Sequence, residues 1–214
     1  MFYNCTSLTT IVDFPESVKT IGAHAFEGCT SLASLVVPNT VIEIGASAFA
    51  GCTGLTEITL PKKIKTISEG LLMGCTKLEK VEIPDAVDTI ESYAFYNCSF
   101  LKEVVLPGQL ATIEPMAFSE CSSIENIDAS KCASYVFEDG LLMNKSKTNI
   151  VRASTKLTGD MRIPDSVTTI EAGSFSVCAG IENLFIPPSV TYIGDDAFGY
   201  CVKLKNIDFE LIQM

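Results

Sequence analysis

Tryptophan is absent from the 214 residues, and histidine occurs once, as His24. None of the nine cysteines forms a Cys-x-x-Cys pair, so a zinc centre lacks both its usual spacing and its imidazole ligands. No run approaches the roughly 18 apolar residues that a membrane-spanning helix needs. The opening Met1-Phe2-Tyr3-Asn4-Cys5 shows no basic region followed by an apolar stretch, so no signal peptide is visible. Basic residues are scarce: 15 Lys and Arg face 26 Asp and Glu, for a net charge of −11. That balance argues against binding nucleic-acid phosphates or an anionic membrane, and self-repulsion of this size favours solubility. No glycine-rich phosphate cradle and no calcium loop occurs, and no cofactor is expected.

What is present is a repeat. Cysteines stand at 5, 29, 52, 75, 98, 121, 178 and 201, with Cys132 out of phase. The dominant interval is 23 residues, broken once by 57. Prolines keep the same phase at 15, 38, 61, 84, 107, 164 and 187. So do Phe26, Phe49, Phe95, Phe118, Phe175 and Phe198, with Leu72 in one slot, and so do Ile21, Ile44, Ile67, Ile90, Ile113, Ile170 and Ile193. Columns that hold one phase over so many turns mark a solenoid.

One copy shows how a coil is built. Val104 and Leu106 alternate as strand residues do, and Pro107 ends the strand because it has no N–H for a ladder. Leu110 and Ile113 lie on the opposite wall. Ala117-Phe118 makes a helical-type corner too short for a helix, and Cys121 returns the chain to the next strand. Each coil thus carries one parallel strand, and stacking buries what no coil can bury alone. About nine coils are expected in one array over 1–214.

In-phase cysteines about 5 Å apart are within disulfide reach by distance. They point the same way, however, and their number is odd, so they read as reduced core thiols. His24 has Cys5 and Cys29 as conceivable nucleophile partners. Its column holds Ser47, Tyr93, Met116, Gly173 and Asp196 elsewhere, which reads as a surface position.

The 57-residue interval reads as one degenerate coil followed by a shortened one, an irregular insertion at about 130–160. Asp139-Gly140-Leu141-Leu142-Met143 echoes Glu69-Gly70-Leu71-Leu72-Met73. The polar stretch 144–149 suits a hairpin turn between Leu141–Met143 and Ile150–Arg152. The chain opens and closes inside a coil. That predicts a segment of a longer protein, or ends that stack on a partner, with the tail Phe209, Leu211, Ile212 and Met214 as a possible cover.

The unit Leu-x-x-Ile-x-Leu-Pro-x-x-Val-x-x-Ile-x-x-x-Ala-Phe-x-x-Cys resembles the 23-residue leucine-rich repeat of the BspA-like, or Treponema-type, family. The resemblance covers nearly the whole chain, and Asp-Gly-Leu-Leu-x-Asn-Lys resembles a variant unit of that family. It implies a mainly β, right-handed leucine-rich-repeat solenoid. One parallel β-sheet lies on the concave face, with short 3-10 or helical corners and short extended segments on the convex side. It further implies a surface or secreted microbial protein used in adhesion and protein binding, with no shared catalytic residues.

Functional information is expected where columns do not repeat. The residues flanking each central strand position face outward: Glu57, Lys80, Glu82, Asn126, Asp128, Arg162, Asn183, Phe185, Asn206 and Asp208 are the candidates for concave-face binding. An arginine and an aromatic on an open strand face have the character of a binding hot spot. The leading expectation is a non-enzymatic protein-binding or adhesion module whose partner is a host or microbial surface protein. The alternative is a structural spacer, or stalk, segment of a larger surface protein with no ligand of its own, its uncapped ends stacking on further coils; end-to-end self-association through those coils is a further partner expectation. Neither reading involves catalysis, a metal, nucleic acid or membrane insertion.

Overall fold

The computed structural model describes residues 2–12 and 14–210. Up to the break, strands alternate between two faces. They are β1 (Thr20–Ile21), β2 (Ser34–Val36), β3 (Glu43–Ile44), β4 (Glu57–Thr59), β5 (Thr66–Ile67), β6 (Lys80–Val81), β7 (Thr89–Ile90), β8 (Glu103–Val105), β9 (Thr112–Ile113) and β10 (Asn126–Asp128). At the break come β11 (Tyr135–Glu138), β12 (Leu141–Asn144) and β13 (Asn149–Ala153). The alternation then resumes with β14 (Thr158–Arg162), β15 (Thr169–Ile170), β16 (Gly180–Ile186), β17 (Tyr192–Ile193) and β18 (Asn206–Phe209). The molecule is a parallel β-solenoid without a helix among the described residues.

The principal face carries β2-β4-β6-β8-β10 as one hydrogen-bonded sheet and β14-β16-β18 as a second. Within each block the register is one repeat per rung, Ser34 to Glu57 to Lys80 to Glu103 to Asn126. The strand expected around Thr10 and Val12 does not form, and Val12 is 86% exposed. An end rung has a neighbour on one side only, so little holds it in a ladder. Eight principal strands therefore stand where nine were expected. Each in-phase proline opens a turn, as where Val41 N donates to Pro38 O at 3.0 Å. The outer face is a ladder of the isoleucine column, with Glu91 N donating to Ile67 O at 2.9 Å.

The corners are not helical, contrary to expectation. Each reverses the chain twice through left-handed residues four apart: Ser47 and Gly51 (φ 55° and 67°), Gly70 and Gly74 (59° and 72°), Tyr93 and Asn97 (59° and 54°). A left-handed residue every fourth position prevents a helix from propagating. The reversals turn alternate N–H groups toward the next coil. Phe49 N donates to Leu71 O at 3.0 Å and Leu72 N to Ala94 O at 2.9 Å, a third ladder the columns did not announce.

Inside, the phenylalanines stack along the axis. Phe26 and Phe49 have ring centroids 5.6 Å apart, Phe95 and Phe118 5.2 Å. The cysteine column has a second use beyond filling space. Cys75 Sγ–H donates to Phe49 O at 3.2 Å and Cys121 Sγ–H to Phe95 O at 3.0 Å, 26 residues back in each case. All nine thiols are free. Burial disfavours the thiolate, raising Cys52 and Cys178 to about 12.

The break differs from the expected degenerate coil. The foreseen hairpin is present, with Met143 opposite Ile150 and Leu142 opposite Arg152. Asn144 Oδ1 closes its turn by accepting Thr148 N and Asn149 N at 2.8 and 3.1 Å. A further antiparallel strand, β11, pairs with β12 across Asp139-Gly140, both left-handed. This meander joins the outer sheet in the order β11-β12-β13-β15-β17. It also divides the core. Leu142 belongs to the apolar cluster running from Ile21, whereas Leu141 and Met143 belong to the one running to Ala197. Successive side chains of one strand point to opposite faces, so β12 is the wall between the two.

Two polar side chains stitch that wall. The Tyr135 hydroxyl accepts Ile113 N–H at 2.8 Å, serving the end of the first block's outer ladder. Arg152, 1% exposed, donates Nη1 to Ser176 O and Oγ at 3.1 Å and Nη2 to Cys121 O at 3.1 Å. It stands 26 residues before Cys178, the spacing at which the regular coils have phenylalanine, and Cys178 Sγ donates instead to Ser154 O, 3.6 Å away.

Candidate binding surface

The outward strand positions fall into two groups separated by the break. In the first, Glu57, Lys80, Glu103 and Asn126 stack in one register row, all exposed. Glu82 is exposed just past the end of β6. Asp128, at the end of β10, accepts Ser130 N at 2.9 Å, and hydrogen bonds from Ser130 hold its carboxyl below the usual range.

In the second group, Asn206 Nδ2 donates to Asn183 Oδ1 at 2.7 Å and Asn183 Nδ2 to Asp160 Oδ1 at 2.6 Å. This is a side-chain ladder parallel to the backbone one. Beside it runs the row Arg162, Phe185, Asp208. Phe185 is half-buried between its two charged neighbours. Arg162 is not free: Nη2 donates to Asp165 Oδ1 at 2.9 Å and Nη1 to Glu210 Oε1. Glu210, foremost, raises the arginine's pKa. At the edge of the row, Lys205 Nζ donates to Glu182 Oε2 at 2.8 Å and lowers that carboxyl.

The structure therefore brings Arg162, Asn183, Phe185, Asn206 and Asp208 together and keeps them off the sheet that bears Glu57, Lys80 and Asn126. Where the first sheet ends, Asn126 and Asp128 line a cleft of about 420 Å³ with Tyr135, Phe137 and Lys145 of the meander. Sequence columns cannot show this cleft, because its far wall comes from a segment outside the repeat. His24 is exposed, its Nδ1 against Glu27 Oε2. Among the described residues no three of His, Cys, Asp and Glu converge as a metal-ligand group, and no helix is long and apolar enough to cross a membrane.

Three stacked ladders and a thiol column at a 23-residue period find their match in a known repeat. The profile of the BspA type leucine rich repeat region fits six copies over residues 1–125 and 153–213. The chain belongs to the BspA-type leucine-rich-repeat family. The unmatched stretch, 126–152, coincides with the end of the first principal sheet and the meander. No curated protein matches the chain. Among solved structures, this BspA-type chain is similar to a leucine rich cell surface protein of Faecalibacterium prausnitzii A2-165. The two share 30% identity with a TM-score of 0.75, covering 92% of this chain and 59% of that one. A leucine-rich repeat protein of Eubacterium ventriosum is 27% identical with a TM-score of 0.72, over 91% and 58% of the two chains. The chain spans less than two thirds of either protein. The pneumococcal vaccine antigen PcpA, 22% identical with a TM-score of 0.63 over 90% of this chain and 42% of that one, shares the fold.

Proposed function

We propose that this chain is a non-enzymatic protein-binding module of a bacterial surface or secreted leucine-rich-repeat protein, working through its principal face. The observation that carries the reading is the row Arg162-Phe185-Asp208 beside the Asp160-Asn183-Asn206 ladder. Carboxylates hold the arginine in place and backbone rungs fix the aromatic, so a partner meets an ordered surface and loses little entropy on docking. The cell-surface neighbour from Faecalibacterium prausnitzii supports the location, and family membership supports the class of partner.

The test is capture of a surface protein by the chain, followed by the Arg162→Ala/Phe185→Ala double variant. A protein-binding face predicts at least a tenfold loss of affinity with an unchanged melting curve, the size expected for hot-spot truncation at about 1.4 kcal/mol or more. Unchanged affinity assigns the partner elsewhere. A second reading, a spacer stacking end to end, is favoured by an apolar cleft of about 620 Å³ among Phe2, Leu8, Ile11, Phe14 and Phe26. It predicts concentration-dependent association in sedimentation, abolished by Phe14→Asp.

A further inference from the structure

Each corner supplies three columns: the first left-handed residue, the residue three further on, and the second left-handed residue. In each of the first three coils glycine fills the second left-handed position, as Gly28, Gly51 and Gly74. From the fourth coil the columns change character. Tyr93, Met116, Glu120, Asp196 and Tyr200 all stand in the left-handed region, with φ of 59°, 64°, 59°, 50° and 57°. Glycine adopts that conformation without strain and side-chained residues do not.

These residues surround a cleft of about 490 Å³. Its floor is made of small residues, Ser119, Ser176 and Gly199, in the column that holds Tyr96 one rung earlier. The break creates the floor: Ser119 and Ser176 are 57 residues apart, yet their hydroxyls meet at 3.0 Å because the meander contributes no corner of its own. Tyr93 and Tyr96 close one end, edge to face with centroids 5.6 Å apart. Tyr200 and Asp196 stand at the other end, and Glu120 and Met116 flank the middle.

The chemistry is of one sign. Three tyrosines and two carboxylates line the cleft, and neither lysine nor arginine does. Arg152 lies behind the floor, its Nη donors taken by carbonyl and hydroxyl oxygens. Glu120 beside Tyr96 keeps that phenol protonated, its pKa pushed up to about 12. The chain as a whole carries a net charge of −11. The charges that line the cleft itself, Glu120 and Asp196, are both negative and disfavour an anion there, with the buried Arg152 behind the floor opposing part of that field.

We propose that this corner cleft binds an organic cation of the alkylammonium class, held over the tyrosine rings and paired with Glu120 and Asp196. The site lies away from the principal sheet and does not rest on that sheet's role. Its ligand is either a free quaternary-ammonium headgroup or the ammonium of a lysine side chain, and the two arms of one experiment separate them.

The full chain is titrated by NMR of its tyrosine rings with choline and with N-acetyl-lysine methylamide, alongside 3,3-dimethylbutan-1-ol, the uncharged isostere of choline. Saturable shifts with either cation, and at least about tenfold weaker binding of the alcohol, are the expected result for a cation–π site. Choline alone binding identifies a headgroup site, and the lysine derivative alone a side-chain site. Tyr200→Ala, at a side chain 68% exposed, should weaken the cation about threefold or more while leaving the melting curve in place. Tyr200→Phe keeps the ring and should retain binding, and Glu120→Gln should weaken it. The proposal fails if neither cation binds at millimolar concentration, if the alcohol binds as well as choline, or if Tyr200→Ala binds like the parent chain.

Discussion

Gly70-Leu71-Leu72-Met73 and Gly140-Leu141-Leu142-Met143 are the same four residues in two structures. The first is a corner: Gly70 and Gly74 reverse the chain, Leu71 and Leu72 are fully buried, and Leu72 N bonds the next coil at Ala94 O. The second is β12, an antiparallel strand also buried on both faces. The leucines want burial in both places and do not choose the conformation. The flanks choose it. Asp139 and Gly140 are consecutively left-handed, the geometry of a two-residue hairpin turn, whereas Glu69-Gly70 contains one left-handed residue. Downstream, Gly74 turns the chain toward Cys75, while Asn144 caps the next hairpin with its side chain.

Alkali should separate the block before the break from the block after it by the largest margin. Buried thiols titrate above their ordinary value of 9.0, so the folded chain holds protons that the unfolded chain releases. Stability contributed this way is complete below pH 9 and falls as pH rises toward about 12, the value for Cys52 and Cys178. Cys29, Cys52, Cys75, Cys98 and Cys121 lie before the break, but only Cys178 and Cys201 after it. The first block should therefore lose structure first in a circular-dichroism titration, and simultaneous loss of both blocks contradicts this.

Next in size is Arg152→Ala. It strands carbonyls of Cys121 and Ser176 inside the junction, at a cost of about 3 kcal/mol from several unmet buried hydrogen bonds. Because each coil touches only its neighbours, losing this link should also split denaturant unfolding into two steps. A single transition of unchanged midpoint shows that the blocks do not depend on the arginine.

Tyr135→Phe leaves Ile113 N–H without its acceptor and should cost about 1–3 kcal/mol, measured by urea denaturation. Smallest is Gly74→Ala. At φ 72° the added methyl costs about 1–2 kcal/mol, and the equivalent-phase Asn144→Ala should instead loosen the 144–149 turn, seen as faster hydrogen exchange at Thr148 and Asn149. Equal effects on that turn from both variants erase the distinction between corner and hairpin.

Much of this fold was legible in the columns. Isoleucine, proline, phenylalanine and cysteine at fixed phase identify the coil, the strand and the buried thiols, because burial in a stacked coil imposes one residue type per position. The hairpin at 144–149 was legible from its polar turn. The strand β11 had a signal too, since Asp139-Gly140 is a two-residue hairpin loop, but the echo of Glu69-Gly70 masked it. The corners were misread as helical because Ala-Phe runs look helical and the left-handed positions accept Ser, Tyr, Met and Glu as well as glycine. Arg162 was read as open, whereas Glu210 and Asp165, one of them 48 residues away, occupy it.

The sequence by itself determined which residues stack and which face the interior, since a 23-residue period assigns each side chain a wall before any coil has formed. Only the tertiary structure decided what happens where the period fails. There the neighbours are set by which rungs meet after 57 residues of chain, not by spacing. That meeting buries Arg152, makes β12 a wall between two cores, and sets tyrosines from the fourth coil opposite a tyrosine and an aspartate from the last.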